Sequence, residues 1–173
     1  MLSYSCFESY YNECKDADIM KFKITTLCYI EKDNCYLMLY RNKKKNDENA
    51  GKWIGIGGKL EPGESPDEGM LREVFEETGL VLTKYRFKGV ISFISDTCED
   101  EYMMLYKADA FSGSVSESCP EGELRWIPKP EVLSLPLWEG DREFLRDLLD
   151  GKDQINMKLV YHGDRLLHVN RYH

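Results

Sequence analysis

The stretch that decides the reading is Gly58–Leu80, GKLEPGESPDEGMLREVFEETGL. It opens on a turn, Glu61-Pro62-Gly63-Glu64, and runs into the clearest helix signal of the chain, Ser65 to Thr78. Ser65 is a good N-cap, Pro66 suits the first helical position, and Glu68 completes a capping box with Ser65. Gly79 fits the left-handed C′ position, and Leu80 can make the hydrophobic contact beyond it. At about 100° per residue, Leu71, Val74, Phe75 and Thr78 fall on one side of this helix. Glu73, Glu76 and Glu77 fall on the other, as an i, i+3, i+4 triangle with Cβ atoms about 5–6 Å apart. Three carboxylates that close repel one another. They also lie toward the C-terminal half, where the macrodipole disfavours negative charge. Arg72 is the only cation beside them. One reading is a solvated acidic face, which is common on amphipathic helices. The other is a bound divalent cation, which removes the conflict. Mg²⁺ takes hard oxygen ligands, usually one or two carboxylates with substrate phosphates and water.

The fixed positions of this stretch are Gly58, Glu64, Arg72, Glu73, Val74, Glu76, Glu77, Gly79 and Leu80. Together they resemble the Nudix box at every position. A chance match of the seven non-aliphatic positions somewhere in this chain has a probability below roughly 10⁻⁵ at ordinary residue frequencies. The resemblance implies an α/β fold: a Nudix-type α/β/α sandwich with a mixed β-sheet and a catalytic loop-helix-loop. It also implies Mg²⁺, with Mn²⁺ as a substitute, held against a diphosphate linkage. Glu73, Glu76 and Glu77 match the family's metal ligands, and Glu73 also matches the position that orients or deprotonates the attacking water. Gly58 matches a residue whose carbonyl reaches the metal. Arg72 matches the residue whose fork-shaped hydrogen bonds position the carboxylates. Glu64 matches a structural position that steadies Arg72 and the loop.

The remainder of the chain is consistent with a nucleotide enzyme. Its 173 residues, 42% hydrophobic and 12% aromatic, fit one soluble domain. The net charge of −8 disfavours duplex nucleic acid, which needs a basic stripe, yet permits small anionic nucleotides where metal ions supply positive charge. No apolar run approaches the roughly 20 residues of a membrane span. The six cysteines form no C-x-x-C pair, so a disulfide framework or zinc site is not expected and a reducing cytoplasm fits best. Residues 1–19 read as a tail or appended arm and 20–173 as a single domain, expected to be monomeric.

Strand patterns fall at Lys21–Glu31 and Cys35–Arg41 around a Lys32-Asp33-Asn34 turn, at Trp53–Gly58, and at Leu124–Ile127. Longer ones fall at about Tyr85–Ile94 and Glu101–Ala110. Gln154–Tyr161 and Arg165–Asn170 read as a terminal hairpin. Pro128–Leu133 reads as one or two helical turns, and Glu139–Leu149 has helical spacing. The polar loop Asn42–Lys52, with Lys43-Lys44-Lys45, reads as solvated.

Outside the box, Glu121-Gly122-Glu123-Leu124-Arg125-Trp126 resembles a family pattern in which a loop glutamate precedes a Trp-bearing strand. Glu121 is thereby a candidate metal ligand or base, with Glu123 as competitor. Arg41 and Lys59 are candidate phosphate-binding groups. Leu137-Trp138-Glu139-Gly140-Asp141 resembles the Trp-x-x-Asp segment of MutT-type 8-oxo-dGTP diphosphatases, which implies a base site with Trp138 as its wall and Asp141 as its polar reader. Two departures are visible. Animal members place Asn where this chain has Ile54, and two adjacent acids where it has Gly140-Asp141. Base recognition of the animal kind is not carried over. The expected activity is hydrolysis of a nucleoside triphosphate, 8-oxo-dGTP first, to the monophosphate and pyrophosphate. The rivals are a Nudix hydrolase of another nucleoside diphosphate derivative and a non-catalytic Nudix-fold sensor.

Overall fold

The computed structural model describes residues 22–45 and 47–172, so the arm at residues 1–19 lies outside the described residues. Eight strands form a single sheet: β1 Phe22–Lys32, β2 Cys35–Arg41, β3 Trp53–Ile54, β4 Val81–Ser95, β5 Asp100–Ser112, β6 Gly122–Pro128, β7 Asn156–His162 and β8 Arg165–Tyr172. The helices are α1 Pro66–Thr78, α2 Lys129–Val132 and α3 Glu139–Leu149. The sheet order is β3-β2-β1-β5-β4-β7-β8, with β6 on the other edge of β2. The β1/β5 and β4/β7 pairs are parallel and the rest antiparallel, which makes the sheet mixed. Two cores lie on its faces. Phe144, Leu145 and Leu148 of α3 pack into one, with Leu27, Tyr29 and Ile91. Met70 and Val74 of α1 pack into the other, with Cys28, Ile30 and Ile56. The expected α/β/α sandwich is the observed architecture.

The β1–β2 hairpin closes through Asp33 and Asn34, both at positive φ (49° and 60°), the geometry of a two-residue type I′ turn. Beyond that hairpin the two strands diverge. Residues 53–60 wedge between them: β3 pairs with Leu39 and Tyr40 of β2, and Ile56 and Lys59 bridge to Cys28 and Thr25 of β1. Little room is left there. A Cβ on Gly57 would collide with the Thr26 carbonyl, and one on Gly58 would come within 2.6 Å of the Glu73 carboxyl.

Helix α1 starts and stops where its residues dictate. Ser65 N–H donates to Glu68 Oε2 at 2.8 Å, Glu68 N–H donates to Ser65 Oγ at 3.3 Å, and Gly79 takes φ 73° with its N–H on the Phe75 carbonyl at 2.8 Å. Its roll about the axis differs from the sequence expectation. Met70, Val74, Thr78 and Glu77 are buried, Leu71 is half-buried, and Phe75 is 56% exposed. Two restraints set the roll. Tyr106 Oη on β5 donates to Asp67 Oδ2 at 3.3 Å, and the Gly57 N–H donates to Glu77 Oε2 at 3.2 Å. Those contacts turn Met70 inward and Phe75 outward. Several strands also run longer than their sequence signals. β4 begins directly after Leu80 and bends at register shifts near Leu82–Tyr85 and Phe87–Gly89, which interrupt the alternation that marks a strand.

The roll is open to test by urea unfolding. Met70→Ala should cost about 2–4 kcal/mol by emptying a fully buried site. Phe75→Ala should stay within about 0.5 kcal/mol, as for surface changes in general. The reverse order would mean that the helix packs on its other face.

Candidate active site

The helix α1 carboxylates are gathered by one guanidinium. Arg72 forks onto Glu64, with Nε to Oε1 at 2.6 Å and Nη2 to Oε2 at 3.0 Å. Its Nη1 donates to Glu73 Oε1 at 2.8 Å and Glu76 Oε2 at 3.1 Å, and Nη2 also reaches the Lys59 carbonyl at 3.1 Å. The Arg72 bonds hold the Glu64 carboxyl down at about 2. Glu77 differs. It is 5% exposed, and burial, opposed by the Gly57 N–H and reinforced by the charge of Glu73, pushes its carboxyl up to about 8. Among the described residues no three His, Cys, Asp or Glu side chains converge as a formed metal cage. Arg72 draws Glu73 and Glu76 to itself, while Glu77 is turned onto backbone. The donor set nonetheless fits a hard divalent cation. It consists of carboxylates and carbonyls, and it confines like charges where burial penalises them.

The sequence reading assigned the cation-facing carbonyl to Gly58. In the structure that carbonyl accepts the Thr26 N–H at 2.8 Å and is directed at β1. The neighbouring Gly57 N–H is on the glutamate side.

These groups form one end of a cavity of about 620 Å³. Glu73, Gly57, Gly58, Lys59, Arg41, Lys44 and Glu121 line this end. Arg41, only 7% exposed, binds Asp47 Oδ2 through Nε at 2.6 Å and pairs with Glu121 through Nη1. Lys44 reaches Glu121 Oε1 at 3.1 Å. Glu121 therefore faces the cavity. Its competitor Glu123 is turned to Arg125 at 2.7 Å and Asn42 at 2.8 Å on the exposed rim. Lys59 is exposed at the cavity edge, and Glu76 is exposed beside Arg72.

Away from these groups, Leu27, Ile54, Phe93, Met103 and Trp138 give the cavity an apolar wall, and Lys23, Glu48, Glu101, Asp141 and Asp164 are the charged residues that line it beside that wall. Trp138 stands at the N-terminus of α3, its ring edge-on to Tyr161 at 6.1 Å and its Nε1–H donating to Asn49 Oδ1 at 2.9 Å. The loop that delivers it is fastened by Arg142, which donates to the carbonyls of Leu133, Leu135 and Leu137. Asp141 is 8% exposed and has no hydrogen-bond partner among the described residues; burial, then the charge of Glu101, pushes its carboxyl up to about 7. A Cβ on Gly140 would lie 2.7 Å from Leu159 Cδ1 and from Tyr161 Oη, so a second acid beside Asp141 would have to displace those two side-chain ends.

The structure thus brings Arg41, Ile54, Gly58, Lys59, Glu73, Glu121, Trp138 and Asp141 to one cavity, with Arg72, Glu76 and Glu77 immediately behind it. Sequence reasoning missed Asn49, Lys44, Lys23 and Glu101. The loop of residues 42–52, read as merely solvated, is tied into the cavity wall by Asp47, Glu48 and Asn49, with Glu48 taking Lys23 Nζ at 3.2 Å. Glu101 enters through the parallel β1/β5 register, which sets it beside Lys23. Its oxygens accept from Thr25 Oγ1 at 2.5 Å and pair with Lys23 Nζ at 3.1 Å. No local signal in the sequence marks such a neighbour.

Comparison with known proteins agrees with this architecture. The family model described as NUDIX domain matches residues 21–148. The chain is 33% identical over 141 residues to the Nudix hydrolase YvcI of Bacillus subtilis, covering 79% of this chain and 85% of that one. It is 33% identical over 110 residues to the oxidized purine nucleoside triphosphate hydrolase of Mus musculus, covering 63% and 70%. The crystal structure of a MutT protein from Bacillus halodurans superposes with a TM-score of 0.78 at 30% identity, over 86% of this chain and 97% of that chain. This chain belongs to the Nudix hydrolase family. No helix among its described residues is long and apolar enough to cross a membrane.

Asp141 carries a pH signature. Its carboxyl titrates higher in the fold than in the unfolded chain, so the native state binds its proton more tightly. Stability is then lost as pH rises from about 4 to about 7, and the full cost is felt above 7. A difference of about 3 pH units corresponds to roughly 4 kcal/mol as an upper figure. Asp141→Asn should raise the thermal midpoint clearly at pH 8 and leave it nearly unchanged at pH 4. An equal shift at both pH values would show that the carboxyl is not held neutral by burial.

Proposed function

We propose that this protein is a Mg²⁺-dependent pyrophosphohydrolase of nucleoside triphosphates, acting on oxidised purine deoxynucleotides such as 8-oxo-dGTP. The observation that carries this reading is one cavity that joins the carboxylates and cations beside α1 to the apolar wall of Leu27, Ile54, Phe93, Met103 and Trp138, as the two halves of a nucleotide would require. The mouse relative, named for oxidised purine nucleoside triphosphates, supports the same substrate class.

The roles follow from the groups at each end. Glu73, Glu77 and Glu121 would hold the divalent ion. When bound, that ion neutralises phosphate oxygens and lowers the pKa of a coordinated water. Glu73 faces the cavity and orients the attacking water or takes its proton, a step that contributes about 10²–10⁴-fold where a side chain serves as general base. The water oxygen joins one phosphorus of the α–β anhydride, the bridging P–O bond breaks, and the monophosphate and pyrophosphate leave. Arg72 acts at one remove, orienting Glu73 and Glu76 through its Nη1. Arg41 and Lys59 attract the phosphate chain. Trp138 gives the base a flat wall, and Asp141, its carboxyl pushed up to about 7 by burial, is part-protonated at neutral pH and in that form can both donate to and accept from a base edge. A broader triphosphatase is the second reading, because Ile54 offers no polar atom to that edge.

A turnover panel of 8-oxo-dGTP, dGTP, dATP, ADP-ribose and a diadenosine polyphosphate tests both readings. The expected result is triphosphate cleavage to monophosphate and pyrophosphate with 8-oxo-dGTP leading, abolished by chelator and restored by Mg²⁺ or Mn²⁺. A preference for ADP-ribose would sink the triphosphate assignment, and binding without turnover would indicate a sensor. Glu77→Gln should lower kcat at least tenfold at saturating Mg²⁺. An unchanged kcat would remove Glu77 from the metal site.

A further inference from the structure

Asn49 has a side chain whose orientation is fixed by chemistry. Its Oδ1 lies 2.9 Å from Trp138 Nε1. An indole nitrogen only donates, so the amide atom facing it is the oxygen, and the NH₂ is the branch left over. That NH₂ has no acceptor among the described residues, and Asn49 lines the same cavity as Trp138 and Asp141. The indole N–H lies in the plane of its ring. The Asn49 amide therefore sits at the rim of the ring, and so at the rim of any flat group laid against it.

The donor is also held from behind. The Asn49 N–H donates to Asp47 Oδ1 at 3.0 Å, and the Lys52 N–H donates to the Asn49 carbonyl at 3.0 Å. Asp47 is itself clamped by Arg41 Nε at 2.6 Å. A group fixed this way loses little freedom when a ligand arrives, which is what makes a polar contact selective. The nearby wall residue Ile54 is apolar and cannot supply the same contact.

We infer that Asn49 is a specificity-determining residue, whose amide NH₂ donates to a carbonyl oxygen of a purine resting against Trp138 and so selects oxo-purines over amino-purines. The inference rests on the nucleoside triphosphate reading above. An exocyclic amino group at that place would set donor against donor and leave both without a partner, the situation that discriminates most strongly between ligands.

The test compares kcat/KM for 8-oxo-dGTP and dGTP with that for dATP, in the wild type, Asn49→Asp and Asn49→Leu. Asn49→Asp keeps an oxygen for Trp138 Nε1 but turns the outward branch from donor to acceptor. The wild type should favour the carbonyl-bearing bases by at least tenfold. Asn49→Asp should lower that ratio at least tenfold, chiefly through KM, and Asn49→Leu should lower it less. Metal-free equilibrium binding of dGMP and dAMP to the same three proteins gives the same ratio without turnover. If wild type hydrolyses no triphosphate while the binding ratio still moves in Asn49→Asp, the catalytic reading fails and the Asn49 assignment stands. If hydrolysis is intact and both ratios stay within twofold of wild type, the Asn49 assignment is overturned alone.

Discussion

The close approach of Gly57 and Gly58 to β1 on one side and to the α1 carboxylates on the other is the constraint on which the site depends. The backbone there has a neighbour at every edge. Gly58 gives its carbonyl to Thr26, Gly57 gives its N–H to Glu77, and neither position has space for a Cβ. The wedge of residues 53–60 parts β1 from β2, and that parting brings β3, with Ile54, to the cavity wall. The same contact draws Glu77 into the interior and sets the roll of α1. A substitution here would displace the helix, the wedge and the cavity together, because a close-packed interior transmits strain rather than absorbing it.

Electrostatics sets the second level. Arg72 serves Glu64, Glu73 and Glu76 at once, and the two-pronged bond to Glu64 anchors it in the loop before the helix. It disperses part of the acidic repulsion without burying the charge. Glu77 makes no bond to Arg72, and burial raises its affinity for a proton. Arg41 and Lys44 around Glu121 repeat the arrangement across the cavity, a carboxylate paired with cations that line the same space.

The parts legible in sequence were those governed by short-range rules. Ser65, Glu68 and Gly79 marked the ends of α1 because capping depends on residues three and four apart. The spacing of Glu73, Glu76 and Glu77 put them on one side of the helix for the same reason. The roll of α1 was not legible: Met70 and Phe75 are both apolar, and the choice between them is made by Tyr106 on β5 and Gly57 in the wedge. The start of β4 was hidden by its register shifts. Glu101 and Lys23 meet only through a parallel pairing of strands some eighty residues apart, and Asn49 joins the cavity through Trp138, roughly ninety residues away. Contacts of that range depend on topology, which local pattern does not encode.

Chemistry and selectivity are consequently built from different kinds of structure. The charged end combines helix α1 and the turn before it, whose residues are neighbours in sequence, with Arg41, Lys44 and Glu121 from distant segments. The end around Trp138 is assembled from a strand residue, a loop residue and the start of α3, each held by its own contacts. Gly140 shows how packing limits that assembly. Tyr161 and Leu159 would have to move to admit a second acid beside Asp141, so a further polar group reaches this end of the cavity more readily from another direction. The loop of residues 42–52 offers that direction. It reaches the rim of Trp138 while remaining tied to Arg41, so a single short segment connects the Trp138 wall to the charged groups at the α1 end of the cavity.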